Sequence, residues 1–86
     1  MNGKDVRVKV LYWAQAREAA GVSSEMMLVR PPADLPTLME QILELHPKLA
    51  GLKQSIKLAI NGEICGKETK LNDGDEVALL PPVAGG

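Results

Sequence analysis

From Val6 the chain alternates. Val6, Val8, Val10 and Tyr12 fall on one side, and Arg7, Lys9, Leu11 and Trp13 on the other. A period of two predicts a strand over 6–13 with one wet face. The pattern then changes to Ala14-Gln15-Ala16-Arg17-Glu18-Ala19-Ala20, a run of strong helix formers with Gly21 placed to end it. Glu25 to Arg30 predicts a second strand, stopped by Pro31-Pro32. Thr37-Leu38-Met39-Glu40 has the spacing of a capping box, and Leu38, Met39, Ile42, Leu43 and Leu45 follow at helical spacing up to Pro47. This is the main predicted helix, with an apolar stripe that needs a sheet to cover it.

Lys57 to Ile60 predicts a third strand. Asn61-Gly62 supplies the positive φ values of a tight hairpin turn into a short strand, Glu63-Ile64-Cys65. Asn72-Asp73-Gly74-Asp75 predicts another turn, and Glu76 to Leu80 the last strand. The order is strand, short helix, strand, long helix, strand, short strand, strand. It predicts an α+β fold of the β-grasp (ubiquitin-like) type, with a mixed sheet whose first and last strands lie parallel and adjacent. Their carboxyl ends then share one edge. If Val77 and Leu79 face the core, Leu80 faces outward beside Trp13 and forms an apolar patch near the end of the chain.

Composition bounds the rest. Eighty-six residues form one domain with one modest core, and 45% hydrophobic content suffices to fold without metal or disulfide. With no Phe and 2% aromatics, the core is aliphatic. A net charge of -1 with the basic residues scattered singly gives no stripe to neutralise phosphates, so nucleic acid is not an expected partner. One cysteine, Cys65, excludes an internal disulfide and a multi-cysteine metal site. No signal-like or membrane-length apolar run occurs, and the chain reads as cytoplasmic, with no membrane partner.

Internal chemistry is sparse. His46 has no partner at a recognisable spacing and reads as a solvent-facing histidine at a helix end. Cys65 reads as a small, half-buried apolar residue, and Asp73, Asp75 and Glu76 lack the remaining ligands of a calcium loop. No metal site and no self-contained active site are expected.

The last residues are different. The chain divides into a folded domain, 1–80, and a tail, 81–86. Pro81-Pro82 stiffens the exit from the last strand. Val83-Ala84 leads to Gly85-Gly86, which remove every side chain at the tip and let a narrow channel close on backbone alone. Six residues beyond Leu80 reach about 20 Å when extended, enough to enter a partner's pocket. A terminal carboxylate is ionised and inert at neutral pH. An ATP-using partner can convert it to an acyl-adenylate, from which sulfur displaces AMP to leave a thiocarboxylate, or an amine displaces it to leave an isopeptide bond. The residues are compatible with either, and with a plain interaction module whose tail is inert.

Tyr12-Trp13-Ala14-Gln15-Ala16-Arg17-Glu18-Ala19-Ala20-Gly21 resembles the strand-to-helix opening of the small, sulfur-carrying subunits of molybdopterin synthase, the MoaD group of the MoaD/ThiS family. Leu71 to Gly86 (LNDGDEVALLPPVAGG) resembles the closing segment of that group, and the element order between them agrees. The short helix distinguishes this group from the thiamine-pathway carriers, which are shorter. The resemblance implies a subunit that is not itself an enzyme and binds no cofactor. Gly86 would be adenylated by an ATP-using adenylyltransferase related to ubiquitin-activating enzymes. It would then be converted to a C-terminal 1-thioglycine, with a sulfurtransferase or cysteine desulfurase as sulfur source.

The tail, Pro81 to Gly86, would enter the large subunit of molybdopterin synthase and deliver sulfur to cyclic pyranopterin monophosphate. The family assembly is a heterotetramer with a small subunit at each end of a central large-subunit dimer. By motif match, Trp13, Leu80 and Ile64 would bind the large subunit. Neighbouring possibilities are a carrier for thiamine or thiolated tRNA, and a ubiquitin-like protein modifier.

Overall fold

The computed structural model describes residues 4–66 and 69–82. Strand β1 (Val6–Tyr12) is followed by helix α1 (Ala14–Ala20), β2 (Ser24–Val29) and α2 (Leu35–Leu45). A 3-10 helix (Pro47–Ser55), β3 (Lys57–Ile60), β4 (Glu63–Ile64) and β5 (Glu76–Leu80) complete the order. The sheet runs β2-β1-β5-β3-β4, with β1 and β5 parallel and every other neighbouring pair antiparallel. This is the expected β-grasp layout, with the carboxyl ends of the first and last strands at one edge.

The period-two pattern of β1 is realised from Arg7 to Val10 and at Tyr12: Val8, Val10 and Tyr12 are buried and Arg7 and Lys9 exposed, with Val6 and Leu11 half-buried. On β5 the same parity buries Val77 and Leu79. Leu38 and Ile42 of α2 close on this face with Leu35, and Leu49 and Leu71 fill its margins, all aliphatic. Full burial of one such side chain contributes about 1.5–3 kcal/mol. Gly21 ends α1 at φ 80, its N–H donating to the Arg17 carbonyl at 2.8 Å. Asn61 and Gly62 take φ values of 53 and 88, the left-handed pair that a two-residue hairpin turn requires.

Four expectations need correction. The main helix begins at Leu35, two residues before the T-x-x-E motif. Asp34 is its N-cap and accepts a hydrogen bond from the Thr37 N–H at 3.0 Å, and Pro36 is tolerated in the first turn, where N–H groups lack helical partners. Thr37 is therefore inside the helix and buried, not capping it. Leu45 is 55% exposed and does not join the core stripe. Beyond Pro47, where the pattern predicts no element before Lys57, residues 47–55 wind as a 3-10 helix that buries Leu49. Finally, Trp13 lies beyond β1, as the extended N-cap residue of α1.

Candidate functional site

The sheet has an inner face packed under α2 and an outer face without a covering element among the described residues. Register carries one apolar row across that outer face. Leu11 on β1 opposes Ala78 on β5, Ala78 opposes Ala59 on β3, and Ala59 opposes Ile64 on β4. Ile64 is 62% exposed. One step further along β5, on the same face, lies the half-buried Leu80, opposite Lys57. At the corner where β1 ends, Trp13 is 55% exposed, and its N–H donates to the Leu79 carbonyl at 3.3 Å. That bond ties the Trp13 backbone to the strand that leads into the tail.

The sequence-predicted set thus divides in three. Trp13, Leu80 and Ile64 are placed on the open outer side of the sheet, joined by Leu11 and Ala78. Pro81 and Pro82 continue from β5 at the same edge. Val83, Ala84, Gly85 and Gly86 lie outside the described residues. A solvent-exposed indole beside branched aliphatics is a poor surface to leave in water and a good anchor for a partner, since binding hot spots favour Trp.

Ala14, directly after Trp13, adopts φ 49. That left-handed conformation is uncommon for a residue with a Cβ, and it turns the chain sharply from β1 into α1. Its effect is to leave the indole standing at the corner instead of continuing the strand.

Behind the corner is a polar clip that residue spacing did not reveal. Glu25 Oε2 accepts the Tyr12 hydroxyl at 2.5 Å and lies 2.6 Å from His46 Nε2. The Tyr12 and His46 rings meet edge to face, with centroids 5.5 Å apart and an interplanar angle of 82°. Burial, reinforced by the hydrogen bond to Glu25 and its negative charge, pushes the Tyr12 phenol well above its usual range, so it stays a donor. His46 is therefore no solvent-facing histidine. It ties the end of α2 to β1 and β2. The only signal in the sequence was its place after a helix and before a proline, which cannot show what it faces.

The remaining candidates behave as side chains of structure. Cys65 is half-buried, its thiol against the Glu63 carbonyl at 3.1 Å. Asp73 accepts from the Arg7 N–H, and Asp75 accepts from Asn72 N–H and the Asn61 side-chain amide, which binds the turns at the amino end of β5 together. Among the described residues, no cluster of His, Cys, Asp or Glu could hold a metal ion, and no helix is long and apolar enough to cross a membrane.

Comparison with known proteins places the chain in a family. The ThiS family profile matches residues 10–86. A molybdopterin synthase sulfur carrier subunit from Chlamydomonas reinhardtii is 39% identical, over 94% of this chain and all of that one. Its counterpart from Mycobacterium tuberculosis is 38% identical, over 94% of this chain and 99% of that one. Among solved structures, a Pyrococcus furiosus protein described as molybdopterin converting factor subunit 1 superposes with a TM-score of 0.82 at 32% identity. It covers 91% of this chain and 99% of its own. Small archaeal modifier protein 1 from Haloferax volcanii gives 0.83 at 26% identity, covering 93% and 99%. The complex of subunits 1 and 2 of the molybdopterin-converting factor from Helicobacter pylori gives 0.68 at 27% identity, covering 94% and 100%. With the profile spanning most of its length and relatives above 30% identity along nearly all of it, the chain belongs to the ThiS family.

Proposed function

We propose that this chain is the sulfur carrier subunit of a molybdopterin synthase, a non-catalytic partner that donates sulfur from its C-terminus. The observation that carries the reading is the open apolar corner, Trp13 and Leu80, at the edge where β5 passes into Pro81-Pro82. It has the form of a docking surface next to a deliverable arm. The sulfur carrier subunits among its relatives support the choice of pathway. The Helicobacter pylori complex of subunits 1 and 2 supports a large-subunit partner, and the heterotetramer is what the family resemblance implies.

In this account Trp13, Ile64 and Leu80 seat the chain on the large subunit. Pro81 and Pro82 direct the tail, and Val83 to Gly86 thread it into the partner's active site. An adenylyltransferase first couples the Gly86 carboxylate to AMP from ATP, with release of pyrophosphate. The persulfide sulfur of a sulfurtransferase or cysteine desulfurase then expels AMP to give an acyl disulfide. A thiol reductant cleaves its S–S bond, becoming a disulfide with the donor cysteine and leaving the thiocarboxylate. Its sulfur displaces an oxygen of cyclic pyranopterin monophosphate, which leaves as water. Hydrolysis of the resulting thioester leaves the sulfur on the pterin and returns Gly86 as a carboxylate, so that two such deliveries build one dithiolene. Reconstitution tests this directly. Thiocarboxylated chain mixed with the large subunit should convert the precursor to molybdopterin, and the carboxylate form should not. Failure of the thiocarboxylated chain with a competent large subunit would refute the assignment.

A second reading rests on the Haloferax volcanii likeness, which favours a ubiquitin-like modifier. It predicts an amine as acceptor, and hence this chain joined through Gly86 to lysines of other proteins. The two readings share the adenylate and part at the nucleophile.

A further inference from the structure

A five-stranded open sheet has two edges, and this one treats them differently. At the β4 edge the strand is only two residues long, too short to template another chain. The β2 edge is six residues long and carries Met26 and Leu28 on the outer face, 58% and 53% exposed. Such an edge is a template for a further strand. In the antiparallel β1–β2 ladder, residues on β2 point their backbone groups alternately toward β1 and away from it. The Leu28 carbonyl and the Arg30 N–H are both bonded to α2, so they belong to the set that points away. By the same alternation, both backbone groups of Met26 and the N–H of Leu28 point away too.

Among the described residues, the partner of that edge is a single side chain. Gln41 of α2 donates through Nε2 to the Leu28 carbonyl at 2.8 Å, and its Oε1 accepts from the Arg30 N–H at 2.9 Å. A primary amide offering one donor and one acceptor to carbonyl and N–H groups two residues apart reproduces what a neighbouring strand's peptide would offer. We propose that Gln41 is a surrogate strand that closes the β2 edge and keeps it from pairing with the β2 edge of a second copy of this chain. A second copy is the occupant that the edge fits. About a two-fold axis, antiparallel β2 strands place the apolar pair Met26 and Leu28 of one copy beside the same pair of the other, an isologous contact. The amide occupies the carboxyl-terminal end of the edge and denies such a pairing its full length.

The test replaces Gln41 by Met, which keeps the length and helix propensity but loses both hydrogen bonds, and by Ala as a second variant that keeps the helix. The parent chain should sediment as a 9.2 kDa monomer. Both variants should self-associate as concentration rises, and adding Met26→Lys to either should restore the monomer. Hydrogen exchange at the Arg30 amide, measured at dilutions where all are monomers, should quicken by roughly fivefold to tenfold in each variant, the loss of one hydrogen bond. Variants that stay monomeric over the range tested, a parent that already dimerises, or association that Met26→Lys leaves intact would each overturn the proposal. These readouts involve neither the tail nor any partner, so the outcome is independent of the sulfur carrier assignment.

Discussion

The two ends of the central strand β5 are built by opposite rules. At its amino end every turn is tied. Asn61 exchanges backbone and side-chain bonds with Glu76, and Asp75 holds both Asn61 and Asn72. Gly74 and Asp73 reach the backbone of Arg7. At its carboxyl end, among the described residues, one bond crosses to the corner, the 3.3 Å contact from Trp13 to Leu79, and the side chains there are apolar and open. One end spends its polar groups inside the fold, and the other leaves apolar surface for something outside it. On the proposed function, stability and partner binding are thereby separated along a strand of five residues.

That separation can be broken in stated ways. The largest effect is expected beyond the open end. One residue added after Gly86 should abolish sulfur transfer, because the carboxyl group is displaced, while thermal unfolding stays where it was. Transfer at the parent rate in that variant would contradict a terminal-carboxylate mechanism. Next, Trp13→Ala should weaken large-subunit binding by about 2 kcal/mol or more, as a buried indole anchor would. The same change should alter folding stability by no more than about 0.5 kcal/mol, since an exposed side chain is lost. Calorimetric titration and thermal melts read the two numbers on the same sample.

The tied end should answer in reverse. Asp75→Ala leaves the Asn61 amide and the Asn72 N–H without their acceptor and should destabilise by about 1–3 kcal/mol. Partner affinity should be unchanged. A loss of affinity with intact stability would mean that the two ends are not separate.

A smaller effect is expected away from both ends, at the helix cap. Asp34→Ala should cost about 0.5–2 kcal/mol by removing the N-cap of α2. The hydrogen bonds from Thr37 hold the Asp34 carboxyl below its ordinary range. Its folded value is thus depressed, and its stabilising contribution is complete above the unfolded value of about 3.9. That contribution fades as pH falls through the folded value. Parent and variant melts should therefore differ at neutral pH and converge in acid.

Much of this contrast was legible in the residues. Strict alternation in β1 and β5 needs no knowledge of partners, because a period of two fixes which side chains can be buried once one face is covered. Trp13 and Leu80 were placed outward by that parity. The Asn61-Gly62 turn followed from the positive φ that only such a pair accepts readily. What could not be read depends on contacts between distant segments. The Tyr12–Glu25–His46 clip joins three elements, and Gln41 meets a strand that precedes it by a dozen residues. The 3-10 helix has no apolar periodicity to betray it, and Leu49 is buried because α1 and α2 both pack against that segment. The cap at Asp34 is hard to read from the residues because a proline two positions on resembles a boundary, although proline fits the first turn of a helix. The tail's chemistry is a different case: its residue types define what a partner could do with it, and the choice of partner rests on the proposed function.

The central claim is that the working group of this protein is the carboxyl group of Gly86. It is tested most directly by the intact mass of the chain after incubation with its activating enzyme, ATP and a sulfur donor. Replacing oxygen by sulfur at the terminus adds about 16 Da, and a single increment of that size, absent without ATP, is the predicted result. An unchanged mass, under conditions in which an authentic carrier gains the increment, would contradict the account.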